Sequence, residues 1–213
     1  MDGLIKEMLE GSIVTIEIFF LVIVLSVPLG LCITFLYMSK NVVVQKVTAF
    51  YILLMRGTPL LLQLFFFYYG LPYIPVIGKY LVFTRFWACI VAFVLNYAAY
   101  FAEIFRGGLL AVDIGQYEAA KVLGFTKFQT LRKIVIPQMF RVTLPSISNE
   151  AIILVKDTAL VSAISVAELL KVTNSAVSST ASVTPFFIAG IFYLVMSYVV
   201  TVFFKFLERK YAF

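Results

Sequence analysis

Five long apolar segments dominate this sequence, and they restrict its possible folds more than any other feature. Each has close to or more than the about 20 residues that an α-helix needs to cross the hydrocarbon core of a bilayer. Helices that cross a bilayer satisfy their backbone hydrogen bonds internally. We therefore predict an all-α, polytopic membrane protein with five transmembrane helices in one domain spanning residues 1–213. The segments are Ile13–Met38, Val47–Tyr69, Phe86–Phe105, Val142–Val161 and Pro185–Phe204.

The composition leads to the same class. Hydrophobic residues make up 62% of the 213 residues and charged residues only 13%, whereas soluble domains average about 45–50% apolar and about 25% charged. The chain contains no histidine, which removes the commonest metal ligand and general base. We therefore expect no metal site, no cofactor and no catalytic residue in this chain.

The distribution of basic residues predicts the orientation. Of the 17 lysines and arginines, eleven lie in the connection 39–46, the connection 106–141 and the C-terminal tail, and four lie in the remaining connections. Cytoplasmic loops of membrane proteins collect basic residues. We expect the N-terminus outside and the C-terminus in the cytoplasm. The net charge of +6 then reflects topology and contact with membrane lipid, and we expect no nucleic-acid partner.

The second apolar segment is interrupted by the run Arg56-Gly57-Thr58-Pro59. Proline removes a backbone donor and glycine is a poor helix former, so we predict a broken or kinked helix near the middle of the membrane. Broken helices at this depth commonly form transporter sites, because the freed backbone groups bind ions. Thr58 beside the break and the Arg56 cation are therefore candidate substrate ligands.

The fourth segment carries two acids, Glu150 and Asp157. They are seven residues apart and share one helix face, and ionisable groups inside a membrane are functional candidates by default. A substrate ammonium group would suit either carboxylate. The alternative is a structural ion pair in which Arg56 or Lys156 neutralises Asp157.

Three further polar residues lie in the predicted spans, namely Gln63, Asn96 and Glu103. Gln63 and Asn96 are included among the candidate substrate ligands. The alternative for all three is a structural role, in which their side chains form hydrogen bonds between helices.

The connection 106–141 is too long and too patterned for a passive loop. Good helix formers lead up to Gly124, where we expect a turn, and apolar residues at helical spacing follow it. We predict a short helix, a glycine turn and a second amphipathic helix on the cytoplasmic face. From the residues alone, this unit is either a lipid-bound interfacial element or a docking surface.

The spacing of this connection resembles the EAA loop of ABC-importer permeases. It reads Glu118-Ala119-Ala120, three residues, Gly124, nine residues, Ile134, one residue, Ile136-Pro137, and the family has leucine where this chain has Ile136. Further stretches resemble the polar amino-acid branch of that family. They are Arg56-Gly57-Thr58-Pro59-Leu60-Leu61-Leu62-Gln63, Phe101-Ala102-Glu103-Ile104-Phe105-Arg106-Gly107-Gly108, Gly115-Gln116-Tyr117-Glu118-Ala119-Ala120 and Leu154-Val155-Lys156-Asp157-Thr158-Ala159-Leu160.

The resemblance implies a transmembrane subunit of an ATP-driven amino-acid importer in a bacterial inner membrane. Its partners would be ATP-binding cassette ATPase subunits, a second permease subunit (identical or related) and an extracytoplasmic amino-acid-binding protein. Glu118, Ala119, Ala120 and Gly124 would form the coupling helix that docks on the ATPase. The chain has no phosphate-binding loop of the form G-x-x-x-x-G-K-[ST], so ATP hydrolysis would belong to the partner.

Two other classes compete with this interpretation. An ion-coupled secondary carrier or channel would act without an ATPase, and the basic connection would then bind lipid. A structural membrane anchor would have no use for a helix break inside the membrane. The sequence does not select one amino acid as substrate.

Overall fold

The computed structural model describes residues 2–211, and all regular secondary structure in that range is helical. Short π-helical and 3₁₀ turns extend several of the helices. The α-helices are α1 (Asp2–Tyr37), α2 (Val42–Gly57), α3 (Leu60–Phe65), α4 (Arg85–Leu110), α5 (Ile114–Val122), α6 (Lys127–Thr130), α7 (Ile136–Asp157), α8 (Leu169–Thr180) and α9 (Thr184–Tyr211).

The predicted all-α membrane fold is confirmed. Within the described residues, α1, α4 and α9 are each long and apolar enough to cross a membrane, and so is the bent pair of α2 and α3. The fourth predicted span, Val142–Val161, corresponds to α7, which carries Arg141, Glu150, Lys156 and Asp157 and does not pass that composition test. For α7 the crossing of the membrane stays a prediction.

Helix α4 forms the centre of the bundle, with α1 and α7 packed against it. Glycines allow both approaches. A Cβ added at Gly30 of α1 would lie 2.6 Å from the Cβ of Phe101, and one added at Gly108 of α4 would lie 2.2 Å from Cγ2 of Thr143 on α7. Close backbone approach at small residues is the usual way that membrane helices pack.

Helix α9 is different, because one face packs on the core while a long row of its apolar side chains, including Phe187, Leu194 and Phe203, is exposed. An uncovered surface of this kind is stable beside lipid tails or beside another membrane subunit. The described part of the chain therefore buries its core around α4 and presents α9 to the membrane.

In the connection 163–184, the serine-rich run 178–182 predicts a polar loop on the outer side. The connection instead contains the helix α8. Its hydroxyl side chains bond to the carbonyl oxygens of the preceding turn, as Thr173 does to Leu169 and Thr180 to Ala176. Such back-bonding lets serine and threonine lie inside a helix. The serine-rich composition therefore gave a wrong prediction here.

On the predicted cytoplasmic side, the short helix is confirmed as α5. The turn at Gly124 has φ +76°, and two backbone bonds close it, from Phe125 N to Ala120 O and from Gly124 N to Lys121 O. This is a Schellman motif, which favours glycine at the left-handed position.

A second helix follows the glycine turn, as predicted, but it does not end before the next apolar segment. Helix α6 continues through a π-helical turn, Leu131–Val135, directly into α7, and Pro145 lies inside α7. The helical spacing of the apolar residues reflects the first turns of this long helix, which reaches from the α5 turn to Asp157.

Candidate functional site

The predicted helix break is present. Helix α2 ends at Gly57, Thr58 and Pro59 are extended, and α3 begins at Leu60. The axes of the two helices differ by 106°. A residue before proline avoids the helical conformation, so the Thr58-Pro59 pair accounts for the interruption.

A helix end inside the membrane needs partners for its free carbonyl groups. Gln63 Nε2 donates to the carbonyl oxygen of Met55 at 2.9 Å and to Thr58 Oγ1 at 2.8 Å. Asn96 Nδ2 donates to the same Met55 oxygen at 2.8 Å and to Gln63 Oε1 at 3.0 Å. Gln63 and Asn96 are both buried, and this network fixes α2, α3 and α4 around the break.

A cavity of about 450 Å³ opens beside the break. Five of the six residues predicted as substrate ligands line it, and Gln63 lies behind them, bonded to two of the five. The lining residues are Arg56, Gly57, Thr58, Pro59, Leu60, Asn96, Tyr97, Tyr100, Glu150, Ile153 and Asp157.

The two acids of α7 are half-buried on one wall of this cavity. Asp157 Oδ2 accepts a hydrogen bond of 2.8 Å from the Tyr97 hydroxyl. Within the described residues Glu150 accepts no hydrogen bond, and neither acid lies within 4.0 Å of a basic group. The alternative of a structural ion pair between Asp157 and Arg56 or Lys156 is therefore not observed among the described residues, and the Tyr97 hydroxyl is the partner of Asp157 instead.

The Arg56 side chain lies at the edge of the cavity. Its guanidinium group lies 5.3 Å from the centre of the Tyr100 ring, and its Nη1 atom is 3.9 Å from Oε1 of Glu103. The cavity thus combines one cation with two carboxylates, an aromatic wall and amide groups. This set of groups suits a small zwitterionic or cationic molecule, whose carboxylate and ammonium groups need opposite charges.

Sequence reasoning missed Tyr97 and Tyr100 as lining residues. A signal was available, because Asn96, Tyr100 and Glu103 follow the spacing of one helix face. All three are at or beside the cavity.

Sequence reasoning also missed Glu168, which lies outside the cavity and is completely buried. Its carboxylate accepts from the backbone N–H groups of Leu170 and Lys171 at 2.8 and 2.7 Å and from the Tyr193 hydroxyl at 2.8 Å. Burial raises the pKa of this carboxyl, and the hydrogen bonds oppose that rise. An acid directly before a helical pattern is a helix-capping signal, and here it begins α8.

The predicted coupling residues lie in and just after α5. Glu118, Ala119 and Gly124 are exposed, whereas Ala120 is buried and packs inside the protein. A hydrogen bond of 3.1 Å from Gln138 Nε2 to Gln116 Oε1 joins α5 to α7.

Fold and site together define a membrane permease with a polar cavity and a short helix exposed at one end. The family described as "Binding-protein-dependent transport system inner membrane component" matches residues 14–213. The chain belongs to this family.

Several characterised relatives are similar over most of their length. The arginine transport system permease of Bacillus subtilis is 35% identical over 207 residues, covering 97% of this chain and 93% of the relative. The octopine transport system permease of Rhizobium radiobacter is 44% identical over 164 residues, covering 75% and 67%. A putative glutamine transport system permease of Rickettsia typhi is 32% identical, covering 95% and 91%.

Solved structures are similar in fold. A crystal structure of an amino acid ABC transporter with histidines has a chain that superimposes with a TM-score of 0.88 at 34% identity, covering 99% of this chain and 96% of that one. An inward-facing methionine ABC transporter gives a TM-score of 0.76 at 18% identity, covering 99% and 96%. The latter shows the fold alone.

Proposed function

We propose that this chain is the membrane-spanning subunit of an ATP-driven importer and forms the pathway for a polar amino acid. The observation that carries the proposal is the cavity at the helix break, where one guanidinium group and two carboxylates meet. The names of the relatives, which include arginine, glutamine and octopine permeases, support an amino acid or amino-acid derivative as substrate.

The roles of the cavity residues follow from their charges. Glu150, which accepts no hydrogen bond from the described residues, is the group that gains most from a substrate ammonium, because an unpaired carboxylate inside a membrane is costly. Asp157 and its Tyr97 partner lie on the same side of the cavity. Arg56 and Thr58 at the break would receive the substrate carboxylate.

Coupling to ATP hydrolysis follows from the continuity of one helix. The exposed apolar residues Val122 and Leu123, next to Glu118 and Ala119, offer a docking surface for a partner ATPase. The helical run from Lys127 to Asp157 connects the end of the α5 turn to the acids of the cavity. A displacement of α5 by the ATPase would therefore be carried to the binding residues by a nearly continuous helix.

The remaining assembly follows from the family. A binding protein would deliver the substrate to the outer face, and a second permease copy or a related chain would complete the pathway in the bacterial inner membrane. The N-terminus would lie outside and the C-terminus in the cytoplasm.

Uptake by the reconstituted complex tests the cavity. The permease, its ATPase and its binding protein are placed in proteoliposomes, and ATP-driven uptake of each common amino acid is measured. Glu150→Gln keeps the shape and removes the charge, so we expect uptake to fall at least about tenfold, which corresponds to roughly 1.4 kcal/mol. Glu208→Gln, near the end of α9 and away from the cavity, is the control. Unchanged uptake in Glu150→Gln would remove this residue from the site.

Co-purification tests the docking surface. Leu123→Asp places a charge on the exposed apolar end of α5, and desolvation of that charge would oppose docking. We expect the recovery of the ATPase with the permease to fall at least about tenfold. Val183→Asp, also exposed but on the predicted outer side, should leave it unchanged. Equal recovery with both variants would place the ATPase contact elsewhere.

A further inference from the structure

Glu103 of α4 lies behind the cavity, between two arginines, and each of its oxygens faces a different one. Oε2 accepts two hydrogen bonds from Arg106, at 3.0 Å from Nε and 2.8 Å from Nη2. Oε1 lies 3.9 Å from Nη1 of Arg56. Glu103 is not among the described residues that line the cavity, but its second arginine is.

The two arginines are held with unequal strength. A guanidinium group that donates twice to a carboxylate makes a short, directional contact, whereas 3.9 Å is too long for a hydrogen bond. Arg106 is also stacked 5.5 Å from the centre of the Tyr37 ring, and Arg56 is stacked 5.3 Å from that of Tyr100. Arg106 thus fixes Glu103 in place, and Glu103 attracts Arg56 without locking it.

The charges of the cavity explain why such an arrangement is needed. Among the described lining residues, Arg56 is the one cation, and Glu150 and Asp157 are the two acids. In a medium of low polarity an unopposed cation is drawn strongly to nearby carboxylates. Without an anion behind it, Arg56 would move to these acids and occupy the place of a substrate ammonium group.

We propose that Glu103 is a positioning residue that holds Arg56 at the edge of the cavity. The retained guanidinium group faces the substrate carboxylate, and the acids of α7 stay available to the ammonium group. This inference rests on the proposed function, and it gives Glu103 a role in substrate binding although it does not contact the substrate.

Equilibrium binding to the purified permease–ATPase complex in nanodiscs tests the role. The radiolabelled ligand is the amino acid that the wild-type complex takes up fastest. Glu103→Gln should weaken binding at least tenfold while the melting temperature stays close to that of the wild type. Glu208→Gln is the matched control, because it removes one carboxylate charge near the end of α9 and leaves both Arg56 and Glu103 unchanged. It should change binding less than threefold.

A charge exchange distinguishes a positioning role of Glu103 from a purely structural ion pair between α2 and α4. The double variant Arg56→Glu with Glu103→Arg keeps an ion pair between α2 and α4 but takes the cation away from the cavity edge. We expect it to bind as weakly as Glu103→Gln, or more weakly, and to melt at a lower temperature, because Arg106 loses the carboxylate that accepts its two hydrogen bonds and gains a neighbouring cation. Recovery of wild-type binding in the double variant would overturn the inference, because the ion pair would then serve only to hold α2 and α4 together.

The remaining outcomes are also decisive. Wild-type binding in Glu103→Gln would overturn the positioning role while the proposed function stands, provided that Glu150→Gln still lowers uptake. Absence of uptake of every amino acid by the wild-type complex would overturn the proposed function and this inference with it.

Discussion

Two tyrosine–carboxylate hydrogen bonds of equal length, 2.8 Å, lie in opposite surroundings in this protein. Glu168 is completely buried, and two backbone N–H groups join Tyr193 in satisfying it. Asp157 is half-buried, faces a cavity of about 450 Å³ and has Tyr97 as its hydrogen-bond partner. A carboxylate has about four acceptor positions, so Asp157 retains capacity that a ligand or water can use.

The comparison shows how an acid near a membrane core serves structure or function. Glu168 fixes the start of α8 against α9 through contacts that leave no room for a ligand. Glu150 and Asp157 share a wall with open space in front of them. We therefore base the proposed substrate role of Glu150 and Asp157 on acceptor capacity that faces a cavity, rather than on burial alone.

Alanine substitution of Glu168 and of Glu150 is expected to give the largest difference in melting temperature. Glu168→Ala leaves the N–H groups of Leu170 and Lys171 and the Tyr193 hydroxyl without their acceptor, which costs roughly 2–4 kcal/mol. We expect a large fall in the melting temperature of the purified complex. Glu150→Ala should lower uptake instead and leave the melting temperature nearly unchanged. Equal melting temperatures for the two variants would contradict the assignment of a structural role to Glu168 and a substrate-binding role to Glu150.

The crossing of α4 and α7 provides the next test, because these two helices carry Tyr97 and the acids of the cavity. At Gly108 an added Cβ would lie 2.2 Å from Thr143 Cγ2, whereas at Gly107 it would meet nothing within 4 Å. Gly108→Leu should therefore push α4 and α7 apart at a cost of about 1–3 kcal/mol. Gly107→Leu is the adjacent control and should keep wild-type stability. Thermal unfolding and uptake are measured on both variants, and similar values would show that this crossing tolerates separation.

Sequence reasoning succeeded where one local signal determined the structure. Thr58-Pro59 specifies a break whatever surrounds it, and Gly124 specifies a left-handed turn after α5. It also identified five of the eleven residues that line the cavity, because charged and polar groups inside apolar segments are rare and costly.

It failed where tertiary contacts decide. The helix α8 depends on packing against α1 and α9 as well as on capping by Glu168, and this packing is not visible in a serine-rich stretch. For Asp157 the sequence left two partners open, a substrate ammonium group or a basic side chain, because opposite charges are the obvious pair. The packing of α4 beside α7 provides the Tyr97 hydroxyl instead. Side chains that converge from distant segments leave little trace in one sequence.

The test with the smallest expected effect removes only the hydroxyl oxygen of Tyr97 or of Tyr193. Tyr193→Phe takes one hydrogen bond from a carboxylate that has no access to water, so we expect a loss of about 1–2 kcal/mol in stability with transport retained. Tyr97→Phe releases Asp157 into a cavity where water can replace the hydroxyl, so stability should change by less than about 0.5 kcal/mol. Uptake should nevertheless fall about threefold to tenfold, because the freed carboxylate is no longer oriented toward the substrate. Melting temperature and uptake are measured for both variants. A stability loss in Tyr97→Phe as large as that in Tyr193→Phe would assign Asp157 to structure and leave Glu150 as the acid that receives the substrate.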